Sequence, residues 1–459
     1  MFKTRRKKRR YLYYFIFIFV VVILFYSFSK FEVFEKEEPI IHASNTVFTN
    51  PNEDLNIKIT DESSGISNIS IILKLDSNDS GVTISKQSIN KEKELNIRLK
   101  LSEILPKNSG KYYVLRVEAK DSSYWNFLRG NIATKDIVIV LDSKKPLVNV
   151  ISHSPYIEKG GAAAVVFRAR DDNLAEVYIE DNEGRKFIAK KYLKDSFYAA
   201  LIAWDPRKKD FSANVVAKDK AKNITKERIK FIVQDRQYRI SNIALKDSFL
   251  DGKIKSLTQQ YSPEGSDFNR LESFKFINET LRNSNEKLIH ELSSKIPENE
   301  LKNFKLSPFL PLKNSAKVAD FADHRFYSYE NEAVSNSHHL GLDLASVAQA
   351  PIISSNEGSV VFAGENGIYG LNILIYHGFG LYSLYGHCTN SYVQLHDEVK
   401  KGDEIATTGI SGLALGDHLH FGILVQGIET RPEQWQDRKW LQTHIHQVLD
   451  NGSKYILGR

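Results

Sequence analysis

Gly416-Asp417-His418-Leu419-His420-Phe421-Gly422 alternates imidazole rings with apolar side chains, and its period decides how the C-terminal region is built. In a strand, His418 and His420 share one face while Leu419 and Phe421 share the other. On a helix, residues two apart point about 200° away from each other and could not serve one site. A second stretch, Ser337-His338-His339-Leu340-Gly341-Leu342-Asp343-Leu344-Ala345-Ser346, obeys the same period. Read as one strand, it sets His339, Gly341 and Asp343 on one face, the leucines on the other, and empty space at Gly341. Two such strands aim His339, Asp343, His418 and His420 at a common point. Two histidines and a carboxylate with an open fourth position form a catalytic-type zinc set. The spacing leaves open which two histidines bind.

Around these stretches, residues 306–440 read as short strands separated by glycine turns. Gly358-Ser359-Val360-Val361-Phe362-Ala363, Gly367 to Gly378 and Gly380 to His387 are examples. Three motifs occur in order: His339-Leu340-Gly341-Leu342-Asp343, Tyr385-Gly386-His387 and His418-Leu419-His420. In these, residues 307–440 resemble the M23 family of zinc metallopeptidases, the lysostaphin or LytM type. The resemblance implies an antiparallel β fold with an open groove, Zn2+ as cofactor, and peptide stems of bacterial peptidoglycan as substrate. It implies His339, Asp343 and His420 as metal ligands and His387 and His418 as the non-ligand catalytic histidines. Arg325 and Asn372 match commonly occupied family positions and are candidates for substrate or groove contacts. His377, before Gly378 at a strand end, is a third candidate of that kind. Gly416-Asp417 replaces the Gly-Pro of many members, and Cys388 replaces a leucine; neither is a position of the implied ligands. Some members have lost ligands and act as adaptors that regulate another cell-wall hydrolase. All five chemical positions are present here, which favours a zinc metalloendopeptidase over the silent adaptor.

The implied chemistry matches what the residues can do. Zinc polarises a carbonyl and brings the pKa of a bound water to about 7. Neutral histidines exchange protons near pH 7. The remaining histidines have plainer readings. His338 points to the opposite strand face. His444 and His446 lie in residues 437–449, whose apolar spacing predicts a surface helix, so their rings diverge; residues 441–459 are expected as a C-terminal helix and tail.

Upstream, the net charge of +7 is concentrated in one place. Lys3, Arg5, Arg6, Lys7, Lys8, Arg9 and Arg10 bring seven positive charges within residues 1–10, so the rest of the chain nets zero. A nucleic-acid partner read from overall charge is thereby excluded. Tyr11 to Phe28 is uncharged and apolar. As a helix it spans about 27 Å, close to a bilayer core. The expectation is a retained transmembrane helix in the cytoplasmic membrane, the basic tail inside and the bulk on the periplasmic or extracellular side. A cleaved signal peptide is the alternative, but Lys30-Phe31-Glu32-Val33-Phe34 is a poor cleavage site. Cys388 is the single cysteine, so no intrachain disulfide forms.

Residues 45–143 and 144–235 both read as alternating strands between polar turns. Ala119-Lys120-Asp121 and Ala217-Lys218-Asp219 recur at matching places. Two tandem immunoglobulin-like β-sandwiches are expected, as spacers or as docking sites for cell-wall, division or shape proteins. Residues 236–305 change to helical spacing, broken near Ser262-Pro263-Glu264-Gly265. This linker either packs on its neighbours or lies over the site as a regulatory segment. The whole is expected to be mainly β: tail, anchor, two sandwiches, helical linker and an M23-type peptidase domain.

Overall fold

The computed structural model describes residues 3–28, 34–75, 79–106, 111–298, 300–301 and 304–459; for residues 3–10, 24, 25, 27 and 28 it describes the backbone alone. Strands dominate. The chain forms two compact units, residues 1–145 with 219–223, and residues 146–218 with 224–459.

The first unit begins with a helix, Lys3–Phe28. Among the described residues no helix is long and apolar enough to cross a membrane. The run expected to be an anchor lies in this helix, but its side chains at 24, 25, 27 and 28 lie outside the described residues. What is described falls short of the about 20 apolar residues that a bilayer core needs. The spanning helix therefore has no structural support. The Lys30 to Phe34 cleavage site also falls mainly outside the described residues.

Beyond it, a five-stranded sheet orders Thr46–Thr49, Ile132–Leu141, Tyr112–Asp121, Ile66–Lys74 and Val82–Glu92. A three-stranded sheet orders Ile40–His42, Asp54–Thr60 and Glu94–Lys100. Tyr112–Asp121 shows why these residues form strands: every second side chain, from Tyr113 to Asp121, is buried. Ile57, Ile59, Ile71, Val117 and Ile137 meet in the core between the sheets.

In the second unit, one hydrophobic core runs from the strands Ala162–Arg170 and Lys194–Ala203 to the C-terminal sheet. Phe167 and Leu201 share it with Phe421, Ile423 and Trp435. Gln426, in the turn after strand Leu419–Val425, bonds to strands Lys186–Ile188 and Lys194–Ala203, which belong to two different sheets. Its Oε1 accepts from Ile188 N (2.8 Å) and its Nε2 donates to Leu201 O (2.9 Å). A buried amide with its partners satisfied ties these elements of the second unit together.

The C-terminal helical stretch, 438–457, is not the surface helix expected. Gly452 lies so close to the sheet that a Cβ would come 2.7 Å from Val166 Cγ1. Val448, Leu449 and Ile456 are buried. His444 is 3% exposed and stacks on Trp440 with centroids 5.1 Å apart. His446 Nε2 accepts from Leu306 N (3.2 Å). The helical period correctly sends the two rings apart, but one of them goes into the core.

Residues 247–261 and 270–293 are two helical stretches. The second starts at a capping box: Asn269 Oδ1 accepts from Leu271 N and Glu272 N, and Glu272 Oε2 accepts from Asn269 N. Their apolar faces, including Leu250, Ile254, Phe274, Ile277 and Ile289, pack with Leu374, Tyr382, Leu384 and Leu424 of the sheet that carries the site. The main C-terminal sheet orders Ala316–Ala319, Leu342–Ala345, Leu419–Val425, Leu381–Cys388, Leu371–Tyr376, Gly358–Glu365 and Glu398–Val399.

Candidate metal centre and active site

The centre is assembled from four strands. Leu342–Ala345 pairs antiparallel with Leu419–Val425, with Asp343 directly opposite His420. On its other side Leu419–Val425 pairs with Leu381–Cys388, with Gly386 opposite His420. His339 ends a different strand, Glu332–His339, which pairs with Asp323–Tyr329. The single strand expected through His339 and Asp343 is thus two, broken at Leu340-Gly341, where the chain passes from one sheet to the next. Gly341 is needed for another reason than empty space. A Cβ there would collide with Cε1 and Nε2 of the His420 ring.

Three donor atoms converge. His339 Nε2 lies 2.9 Å from Asp343 Oδ1, and His420 Nδ1 lies 3.0 Å from the same oxygen. The two ring nitrogens are 3.1 Å apart. All three residues are buried. His339 Nδ1 donates to Asp320 O (2.8 Å), and a carbonyl only accepts, so the lone pair is on Nε2 and faces the cluster. Burial alone would raise the Asp343 carboxyl; the facing His339 and His420 outweigh it and hold it well below the usual range. One carboxylate and two imidazoles with mutual distances near 3 Å fit a four-coordinate zinc site of bond length about 2.0–2.2 Å with one position left over.

Two further imidazoles flank the cluster. His418, one residue before its strand, brings Nε2 to 3.7 Å from Asp343 Oδ2 and donates through Nδ1 to Gly416 O (2.7 Å). His387 donates through Nδ1 to Ser411 O (2.9 Å). Their ring centroids are 4.8 Å apart, and His387 sits 5.7 Å from His420. Burial, then the neighbouring imidazoles, push the His387 pKa well down. With Nδ1 donating to a carbonyl, each ring in its neutral form carries its lone pair on Nε2, as an acid–base group needs.

A cavity of about 400 Å³ opens over this cluster. Leu340, Tyr369, Leu413 and Leu415 form part of its lining, together with Arg325. Ile243 of strand Ile240–Ala244, Leu245 just after it, and Phe249, Arg282 and Glu286 of the helical stretches complete the lining. Arg325 is held by Asp323, Nε to Oδ2 at 3.2 Å. The other two sequence candidates are elsewhere. Asn372 is fully buried, its amide without a hydrogen-bond partner, and it does not line the cavity. His377 is buried beneath the sheet end, donating from Nδ1 to Glu357 O (2.7 Å) and pairing through Nε2 with Ser383 Oγ (2.7 Å). Burial pushes its pKa down to about 4, as for a structural imidazole. His338 stacks on His324, centroids 4.0 Å apart, away from the cluster.

Sequence reading missed Asp320 and Ser411, which act through backbone carbonyls and carry no side-chain signature. It also missed Tyr369, whose ring meets His420 edge-on at 5.4 Å.

The family model "Peptidase family M23" matches residues 337–432. Over 94 residues the chain is 32% identical to the DD-carboxypeptidase/endopeptidase Mpg of Neisseria meningitidis, covering 20% of this chain and 22% of that protein. Over 105 residues it is 35% identical to the murein hydrolase activator NlpD of Salmonella typhimurium, covering 22% and 27%. The chain thus spans about a quarter or less of the length of these relatives. The solved catalytic domain of the antimicrobial peptidase lysostaphin from Staphylococcus simulans is similar at 24% identity and a TM-score of 0.23, over 27% of this chain and 92% of that one. The chain carries a peptidase family M23 domain at residues 337–432.

Proposed function

We infer that the protein is a zinc metalloendopeptidase that hydrolyses peptide cross-links of bacterial peptidoglycan. The observation that carries this reading is the convergence of five side chains: three buried donors within 3.1 Å of one another, and two imidazoles with bare Nε2 atoms beside them. His339 Nε2, Asp343 Oδ1 and His420 Nδ1 would hold Zn2+, which when bound polarises a peptide carbonyl and acidifies water. His418, less buried and nearest the carboxylate edge, is placed to take a proton from the attacking water. Either flanking imidazole, once protonated, can donate to the carbonyl oxygen as charge develops there, or to the departing amine. Arg325 is a candidate for holding a substrate carboxylate at the cavity wall.

The Mpg relative, named for carboxypeptidase and endopeptidase activity, supports a peptidase. The NlpD relative supports a second reading, a regulator of another cell-wall hydrolase. The complete set of five residues favours the first. We place the chain in the cytoplasmic membrane, with the basic tail inside and the catalytic region outside, on the strength of the uncharged apolar run 11–28 and the seven basic residues before it. The strands of residues 45–235 are then a candidate contact for cell-wall or shape proteins.

Digestion of purified sacculi, with products identified by mass, tests the function. The expected result is loss of cross-linked dimers, blocked by a chelator and restored by zinc. Intact sacculi together with stimulation of a separate murein hydrolase would establish the regulator instead.

A further inference from the structure

The geometry points to Asn285, on the helical stretch 282–293, as a positioning residue for the metal centre, acting through the turn Asn366 to Gly370. The inference rests on the zinc-peptidase reading above. Asn285 is buried and is not among the residues that line the cavity. Its Oδ1 accepts from Ile368 N (2.9 Å), and its backbone oxygen accepts from Asn366 Nδ2 (3.4 Å). Gly367 takes φ +49°, and a Cβ on it would collide with the Asn285 amide. The helix and the turn are therefore fitted to each other at one side chain.

The turn reaches the site in two directions. Tyr369, its last side chain, lies edge-on to His420. Ile368 O accepts from Leu413 N (2.8 Å), and Gly370 is packed against Ser411 and Gly412 so closely that no side chain fits. Ser411 in turn donates from Oγ to Cys388 O (2.8 Å), accepts from Leu371 N (3.0 Å), and offers its carbonyl to His387 Nδ1. One buried hydrogen bond thus fixes the support of a metal-binding imidazole and the acceptor that sets the tautomer of a second imidazole. Without Asn285 the Ile368 N–H is buried and unpaired, which favours displacement of the turn toward water. The helical segment is then a buttress of the centre as well as a wall of the cavity.

The test uses the full chain and two readouts, zinc affinity by competition with a chromogenic chelator and steady-state cleavage of cross-linked muropeptides. Asn285→Ala is expected to weaken zinc binding by about 10-fold or more and to lower kcat by a similar factor, with KM within about twofold, as for other outer-shell supports. Asn285→Asp keeps the acceptor for Ile368 N and is expected to recover most of the zinc affinity. Gly367→Ala attacks the same contact from the other side and carries the test where Asn285→Ala does not fold. The double variant Asn285→Ala/Gly367→Ala is expected to lose less than the sum of the two singles, because the colliding amide is gone. Wild-type zinc affinity and kcat in a folded Asn285→Ala overturn the inference, as do strictly additive losses in the double variant. Wild-type protein that binds zinc but cleaves nothing defeats the peptidase reading, while the zinc affinities still decide the role of Asn285. Wild-type protein that binds no zinc overturns both.

Discussion

Asp343 and His420 are directly opposed residues of two antiparallel strands, and their Oδ1 and Nδ1 atoms are 3.0 Å apart. The pair is set by register, so a one-residue slip of either strand would turn that strand's side chain to the other face and break the pair. Gly341, two residues before Asp343, lies under the His420 ring. Gly341→Ala is expected to displace that ring while leaving the core of the sheet intact. Zinc affinity should fall by about 10–100-fold, the range for perturbed ligand support, with little change in far-UV circular dichroism. Zinc titration of the purified variant checks this; unchanged affinity would show that the ring has room to move.

The two histidines of His418-Leu419-His420 should separate on substitution. His420→Ala removes a donor atom and is expected to abolish stoichiometric zinc. His418→Ala leaves the three convergent donors and should retain about one zinc per chain while losing about 10²–10⁴-fold in kcat, the range for a general acid–base group. Metal analysis alongside muropeptide cleavage distinguishes the two. Loss of zinc in His418→Ala would make that imidazole a ligand.

The convergence of His339, Asp343, His387, His418 and His420 could be read from sequence because each sits in a short motif. The path of the chain between them could not. Residues 339 and 343 are four apart, so they share a face in one strand and can also converge from two, and the spacing does not distinguish these. The helical segment was legible as helix, but Asn285 meets Ile368 across 83 positions of chain. Such a contact leaves no local pattern. His377 misled for a related reason: a histidine before a glycine at a strand end looks like a groove residue until the Glu357 and Ser383 bonds bury it.

A pH dependence of stability is expected from His290 and Glu429, which join the helical segment to strand Ile428–Thr430 with Nε2 and Oε1 2.6 Å apart. Burial lowers the His290 pKa, but the charge and hydrogen bond of Glu429, helped by Glu286 and opposed by Arg207, outweigh it and raise the value above 6.5. A raised imidazole pKa stabilises the fold fully below the unfolded value of about 6.5 and loses that contribution as pH rises through the folded value. Wild-type protein should therefore lose thermal stability from neutral to mildly alkaline pH more steeply than His290→Gln. Parallel melting curves of the two proteins across that range would remove His290 as the cause.

The cavity wall can be weakened without touching the metal centre. Phe274 is 1% exposed and meets Phe249 and Tyr327 edge-on, at 6.4 and 5.1 Å. Phe249 and Tyr327 both line the cavity. Phe274→Ala leaves a void between helix and sheet and is expected to cost about 3–5 kcal/mol of stability. If the helical segment were only a cover over the groove, loosening it would expose the centre and raise cleavage. Because Leu250, Ile254, Ile277 and Ile289 share a core with the sheet that carries His420, loosening should instead lower both the melting temperature and the activity. Deletion of residues 240–300 should go further and leave an insoluble or inactive chain. Chemical denaturation of Phe274→Ala, with cleavage assayed well below its melting temperature, separates the two outcomes, and a gain in cleavage would identify the segment as a cover.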